Sequence, residues 1–139
     1  MQENYNMVAT TMFGLEKILE KELLELGAKD VKIGNRCVYF SGDKKLMYTA
    51  NIKLRTALKI LHTLSTFKAN KEFELYKNIS NIKWYKILDT SQTFSVSSTV
   101  NSRYFKHSNY VSLVTKDAIV DQFRKKYNKR PSVDLKNPD

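Results

Sequence analysis

Cysteine occurs once in the sequence, at Cys37, which rules out an internal disulfide and a cysteine-rich metal site. Histidine occurs twice, at His62 and His107, and two histidines so far from each other and from the lone cysteine do not make a zinc site. The glycines Gly14, Gly27, Gly34 and Gly42 stand singly, with no G-x-G-x-x-G, which argues against a glycine-rich phosphate-binding loop in this chain. No apolar run approaches the roughly 20 residues that a membrane span requires. The first residues also lack the basic stretch followed by an apolar one that marks a secretory signal. A reducing cytoplasm and no membrane partner are the expected setting.

What the sequence does have is apolar content and positive charge. Hydrophobic residues make up 42% of 139, enough to build a core rather than a disordered tail. The net charge of +10 asks for a polyanionic partner. It is unevenly placed: between residues 101 and 130, Arg103, Lys106, Lys116, Arg124, Lys125, Lys126, Lys129 and Arg130 face only Asp117 and Asp121.

The first half reads as strand, helix, strand, strand, helix, strand. Met7 to Thr11 suggests the first strand. Phe13 to Leu26 carries Leu15, Ile18, Leu19, Leu23 and Leu26 at helical spacing, and Gly27 is a suitable stop. Val31–Ile33 and Val38–Phe40 form a hairpin turning at Gly34-Asn35. Asp43 caps a second helix through Leu46, Met47 and Ala50, and Leu58 to Phe67 reads as a strand. This is an α+β, ferredoxin-like (split β-α-β) order over residues 1–68.

A second unit, 69–139, opens with a short helix through Phe73, Leu75, Tyr76 and Ile79, packed down by Ile82 and Trp84. Phe94, Val96, Ser98 and Val100 alternate as a half-buried strand. Ser108 or Asn109 caps a long helix to about Tyr127, with Leu113, Ile119, Val120, Phe123 and Tyr127 on its apolar face and Asn128 as its stop. Ser132 to Leu135 begins a strand whose partners are expected beyond Asp139.

No catalytic constellation is present. His62 lies in an apolar run and fits a strand side chain better than a base, whereas His107 suits a solvated loop or a ligand contact equally well. Asn137-Pro138-Asp139 lacks the second proline and the aromatic of the Asn-Pro-Pro-aromatic methyltransferase turn, and reads as a turn. The basic segment is the positive signal. Lys and Arg neutralise phosphates, while the interleaved Tyr104 and Phe105 offer stacking surfaces for unpaired bases. Lys125 and Lys126 alone fit a solvated helix face just as well.

Several strings occur together in order: Phe13-Gly14-Leu15-Glu16 with Glu22-Leu23 and Leu26-Gly27; Asn51 with Leu54-Arg55-Thr56-Ala57; Phe67-Lys68-Ala69 before Phe73-Glu74-Leu75-Tyr76; Ile82-Lys83-Trp84 before Phe94-Ser95-Val96; and Lys116-Asp117-Ala118-Ile119-Val120-Asp121 before Arg130-Pro131-Ser132-Val133-Asp134. With them the chain resembles the N-terminal part of the bacterial THUMP-containing RNA methyltransferases, the group that includes the 23S rRNA guanine-N2 enzymes and is often labelled N6-adenine-specific DNA methylase. The resemblance covers nearly the whole chain. It implies a ferredoxin-like domain followed by a THUMP RNA-binding domain (with an onset as early as about residue 45) that continues past Asp139. It also implies a separate catalytic domain of the same polypeptide that holds S-adenosylmethionine, this chain holding no cofactor of its own.

The expected role is capture of structured RNA, rRNA first and tRNA second, in a cytoplasmic methyltransferase. The candidate phosphate contacts are Arg103, Lys106, Lys116, Arg124, Lys125, Lys129 and Arg130, with Arg55 and Lys68 as secondary candidates. A tRNA methyltransferase, a tRNA thiouridylase and a stand-alone RNA-binding adaptor are the alternatives.

Overall fold

A computed structural model describes residues 3–139 in two compact units, with the boundary between Leu64 and Ser65.

The first unit contains β1 (Tyr5–Thr11), α1 (Glu16–Glu25), β2 (Lys29–Gly34), β3 (Cys37–Gly42), α2 (Lys44–Lys53) and β4 (Ala57–His62). Its strands form one antiparallel sheet in the order β2-β3-β1-β4, the ferredoxin-like arrangement. Strand alternation sends Met7 and Ala9 of β1 and Val38 and Phe40 of β3 to one face. There they meet Leu19 and Leu23 of α1 and Leu46 and Ala50 of α2 in a single buried cluster. Asp43 starts α2 as expected, its carboxylate accepting from the Leu46 N–H at 2.7 Å.

Three local expectations shift. The first helix begins at Glu16 rather than Phe13, because Gly14 sits at φ +91° in the left-handed region and breaks the run; Phe13 and Ile18 are exposed. The hairpin turns on Asn35 and Arg36, with Gly34 still paired to Cys37 in the ladder. Strand β4 stops at His62 instead of reaching Phe67. Its partner β1 begins at Tyr5, and after the Thr63 N–H donates to the Asn6 carbonyl at 2.9 Å only one residue of β1 is left, too little to carry the strand to Phe67.

The second unit contains α3 (Glu72–Ser80), a 3-10 turn (Trp84–Lys86), β5 (Thr93–Phe94), α4 (Ser108–Tyr127) and β6 (Ser132–Val133). The buried cluster joins Leu75 and Ile79 of α3 to Val114, Ala118, Ile119, Val120 and Phe123 of α4, with Phe94 from β5. Gln122 ties the corner together. Its Oε1 accepts from the Trp84 N–H at 2.8 Å, and its Nε2 donates to the Ser80 and Ile82 carbonyls at 2.9 and 2.7 Å. The Trp84 indole N–H in turn donates to the Ile79 carbonyl at 2.9 Å.

Here too the structure revises details. His107, not Ser108 or Asn109, occupies the cap position of α4, and among the described residues it makes no side-chain capping hydrogen bond. Leu113 and Tyr127, expected in the core, are exposed, and Val114 and Ala118 are buried instead. The expected strand from Phe94 to Val100 is regular only at Thr93–Phe94. It pairs in parallel with β6, and the ladder ends where the Asp134 N–H donates to the Phe94 carbonyl at 3.1 Å. Strand β6 therefore has a partner inside the described residues. The Asn137-Pro138-Asp139 turn folds back onto it, with the Asp139 carboxylate accepting from the Thr93 N–H at 2.7 Å and from the Thr93 hydroxyl at 2.9 Å. Asn128 stops α4 as expected, at φ 54°.

Candidate nucleic-acid interface

Helix α4 sets the positions of most candidate cations. With 20 residues at about 1.5 Å of rise each it is about 30 Å long, so residues at its two ends cannot form one compact patch.

At the C-terminal end, Arg124 and Lys125 on the last turn join Lys129 and Arg130 just beyond the left-handed Asn128, and all four are exposed. The helix dipole, negative at this end, favours their charge. Arg124 reaches Asp121 only at 3.9 Å, and Asp121 is already engaged, accepting from the Tyr76 hydroxyl at 2.6 Å. That hydrogen bond raises the Tyr76 pKa above the usual phenol value, burial and the charge of Asp121 adding to it. Lys126 differs from its neighbours: its ammonium lies 3.2 Å from the centroid of the Tyr85 ring, a cation–π contact that turns it onto the protein.

Lys116 is not part of this cluster. Nine residues, or two and a half turns at about 3.6 residues each, separate it from Lys125, so the two leave opposite sides of α4. Its ammonium is also half-buried and matched by Asp117 at 2.6 Å.

At the N-terminal end, Arg103 and Lys106 lie in the loop before α4. The Ser102 hydroxyl shapes this loop by accepting from the Tyr104 and Phe105 N–H groups at 3.1 and 3.4 Å. Phe105 packs against the core, whereas Tyr104 is 62% exposed. Tyr104, Lys106, His107 and Tyr110 line a shallow groove of about 300 Å³, together with Lys71 and Glu72 at the start of α3. The Tyr110 hydroxyl donates to the Glu72 carboxylate, and this hydrogen bond raises the tyrosine's pKa. With no side-chain cap on α4, the first-turn N–H groups of the helix are left for solvent or an anion. Sequence reasoning missed Lys71 and Tyr110 as members of this group. Lys71 is more than thirty residues from the loop and reaches it only because α3 packs on α4.

Arg55 is exposed in the first unit. Its backbone N–H donates to the Glu22 carboxylate at 2.8 Å, and its guanidinium charge adds to the lowering of that carboxyl's pKa. Lys68 is exposed in the second unit, in a segment without regular structure. Among the described residues, no group of three or more His, Cys, Asp or Glu side chains could hold a metal ion. No helix among them is long and apolar enough to cross a membrane.

Two family models match the chain: an RlmL ferredoxin-like domain over residues 6–61 and a THUMP domain over residues 69–139. The chain belongs to the THUMP family. Ribosomal RNA large subunit methyltransferase K/L of Buchnera aphidicola subsp. Acyrthosiphon pisum is 39% identical over 134 residues, covering 96% of this chain but 19% of that protein. Among solved structures, "a possible methylase" from Clostridium difficile 630 superposes with a TM-score of 0.82 at 26% identity, covering 91% of this chain and 34% of that one. A predicted N6-adenine-specific DNA methylase from Listeria monocytogenes str. 4b F2365 gives a TM-score of 0.71 at 32% identity, covering 91% of this chain and 33% of that one. This ferredoxin-like and THUMP pair thus spans about a fifth of the curated relative's length.

Proposed function

We propose that this chain is the RNA-capturing part of an S-adenosylmethionine-dependent RNA methyltransferase, with 23S rRNA and guanine N2 as the target. The catalytic domain of the same polypeptide lies outside these residues. Membership of the THUMP family supports the RNA partner, and the name of the Buchnera relative supports rRNA and methyl transfer. The observation that carries the reading within this chain is the cluster of exposed cations at the C-terminal end of α4: Lys125, Lys129 and Arg130, which form no ion pair among the described residues, with Arg124 beside them. These side chains hold RNA by its phosphates and shape. Arg103 and Lys106 hold it at the other end of the helix, and Arg55, Lys68 and Lys116 have subordinate roles. The target base is then taken out of its stack at the catalytic domain.

In this reading the methyl donor belongs to that catalytic domain, and no chemical step is assigned to this chain.

The test is binding of the full chain to a structured RNA and to a duplex DNA of equal length over a salt series. Changing Lys125, Lys129 and Arg130 to Ala should weaken RNA binding and flatten the salt dependence by up to about one unit of slope per lost contact. An unchanged slope overturns the cluster, and equal affinity for duplex DNA overturns RNA as the partner.

A further inference from the structure

The helices of the first unit cover one face of its sheet, and the side chains of the other face alternate away from them. The strand register aligns Lys32 of β2, Tyr39 of β3, Val8 of β1 and Leu61 of β4 in one row across the four strands of that face. Tyr39 stands on a central strand, yet 49% of its surface is open, and Leu61 is 47% open. An exposed aromatic on a central strand, in one row with an exposed leucine on the edge strand β4, is costly to leave in water unless something covers it.

A Cβ built on Gly34 would meet Cε2 of Tyr39 at 2.7 Å and Sγ of Cys37 at 2.7 Å. The ring therefore leans over the bare Cα of Gly34, room that only a glycine leaves there.

The charge around the ring selects the ligand. Lys32 is the direct cross-strand neighbour of Tyr39, Lys59 lies in the next row opposite Thr10, and Lys29 lies opposite Ser41. The only acid in this strand set is Asp30, which accepts from the Ser41 hydroxyl at 2.7 Å. An aromatic ring with phosphate-binding cations on both sides is the composition that recognises a single-stranded nucleic acid, where bases stack and the backbone is neutralised.

We propose that the open face of the first unit's sheet is a second RNA-binding site, in which an unpaired base stacks on Tyr39 while Lys32 and Lys59 hold the neighbouring phosphates. The site lies wholly within the ferredoxin-like unit, distinct from the cation clusters on α4, and it rests on the reading of the chain as RNA-binding. It assigns the two units different tasks: phosphate and shape contacts in one, an unpaired nucleotide in the other.

The full chain is tested against two RNAs of equal length, a hairpin with an unpaired loop and a blunt duplex. Tyr39→Leu, which keeps an apolar group over Gly34, should lower affinity for the looped RNA by between about fivefold and about 150-fold and leave the blunt duplex unaffected. Tyr39→Phe should bind like the unaltered chain. The pair Lys32→Ala and Lys59→Ala should lower the salt slope for the looped RNA by about 0.7 per lost contact. Independently of any variant, ultraviolet crosslinking of the unaltered chain to the looped RNA should place an adduct on Tyr39. Looped-RNA binding that is unchanged in Tyr39→Leu overturns this site while leaving the α4 reading intact. So does an equal loss on both RNAs, the absence of a Tyr39 adduct, or a self-association of the chain that Tyr39→Leu abolishes. Failure of the unaltered chain to bind either RNA overturns both.

Discussion

Gln122 makes three hydrogen bonds, to the Trp84 N–H, the Ser80 carbonyl and the Ile82 carbonyl, and so joins the C-terminal half of α4 to the end of α3 and the turn that follows. Replacing it with Ala removes all three. Each is worth about 0.5–1.5 kcal/mol net. The site is only part-buried, so water recovers some of the loss, leaving an expected cost of about 2 kcal/mol. For a unit of this size that lowers the melting temperature on the order of 10 °C. The assay is convenient: Trp84 is the only tryptophan, so its fluorescence during denaturation follows this unit and not the other. Gln122→Glu sharpens the test. It keeps the acceptor for Trp84 and turns a carboxyl oxygen toward two carbonyls. That carboxyl is held protonated, with its folded-state pKa raised above the ordinary value of about 4.3. The stability it contributes is present below that value and is lost as pH rises through the folded-state pKa. The variant should therefore lie nearest the unaltered chain in acid and fall furthest behind near neutrality. A Gln122→Ala chain within about 0.5 kcal/mol of the parent, or a Gln122→Glu deficit that ignores pH, would refute the clamp.

Two further outcomes concern stability. Asn128 holds the left-handed position that ends α4, so Asn128→Ala should cost about 1 kcal/mol in chemical denaturation whereas Asn128→Gly should cost little or nothing. Glu22 is pulled two ways: burial works to raise its pKa, but hydrogen bonds from the Arg55 N–H and from Thr56 outweigh it and leave the carboxyl below its usual range. Such a group stabilises the fold above its unfolded-state pKa and stops doing so as pH falls through its folded-state value. A Glu22→Gln chain should therefore be less stable by about 1 kcal/mol at neutral pH, after allowance for solvent screening, and should converge with the parent in acid titration.

The parts of the fold legible in the sequence are those written in local chemistry. The apolar spacing of Leu19 and Leu23, the carboxylate of Asp43 and the permissive backbone of Asn128 each act within a few residues of where they stand. The regions that misled are those in which pairing decides. Ser95 to Val100 alternate like a strand but have no neighbouring strand to complete a ladder, while Thr93–Phe94 find theirs nearly forty residues later in β6. Likewise, the basic segment was visible as charge, but its division was not. Lys116 is set apart by helix rotation and by Asp117, Lys126 by the Tyr85 ring, and Lys71 joins the loop at Lys106 only through tertiary packing. Tyr39 read simply as a strand residue, because nothing local marks which face of a sheet will be left without helices.

The uninterrupted length of α4 makes it a gauge of phase as well as of distance. Its two cationic ends are about 30 Å apart. A rigid rod fixes the angle between those ends as firmly as the gap. One residue inserted near Ala118 would lengthen the rod by only about 1.5 Å but would swing one end relative to the other by about 100°. Two residues removed from an exposed loop would change neither. Tolerance to insertion along this chain should therefore follow rotation rather than length.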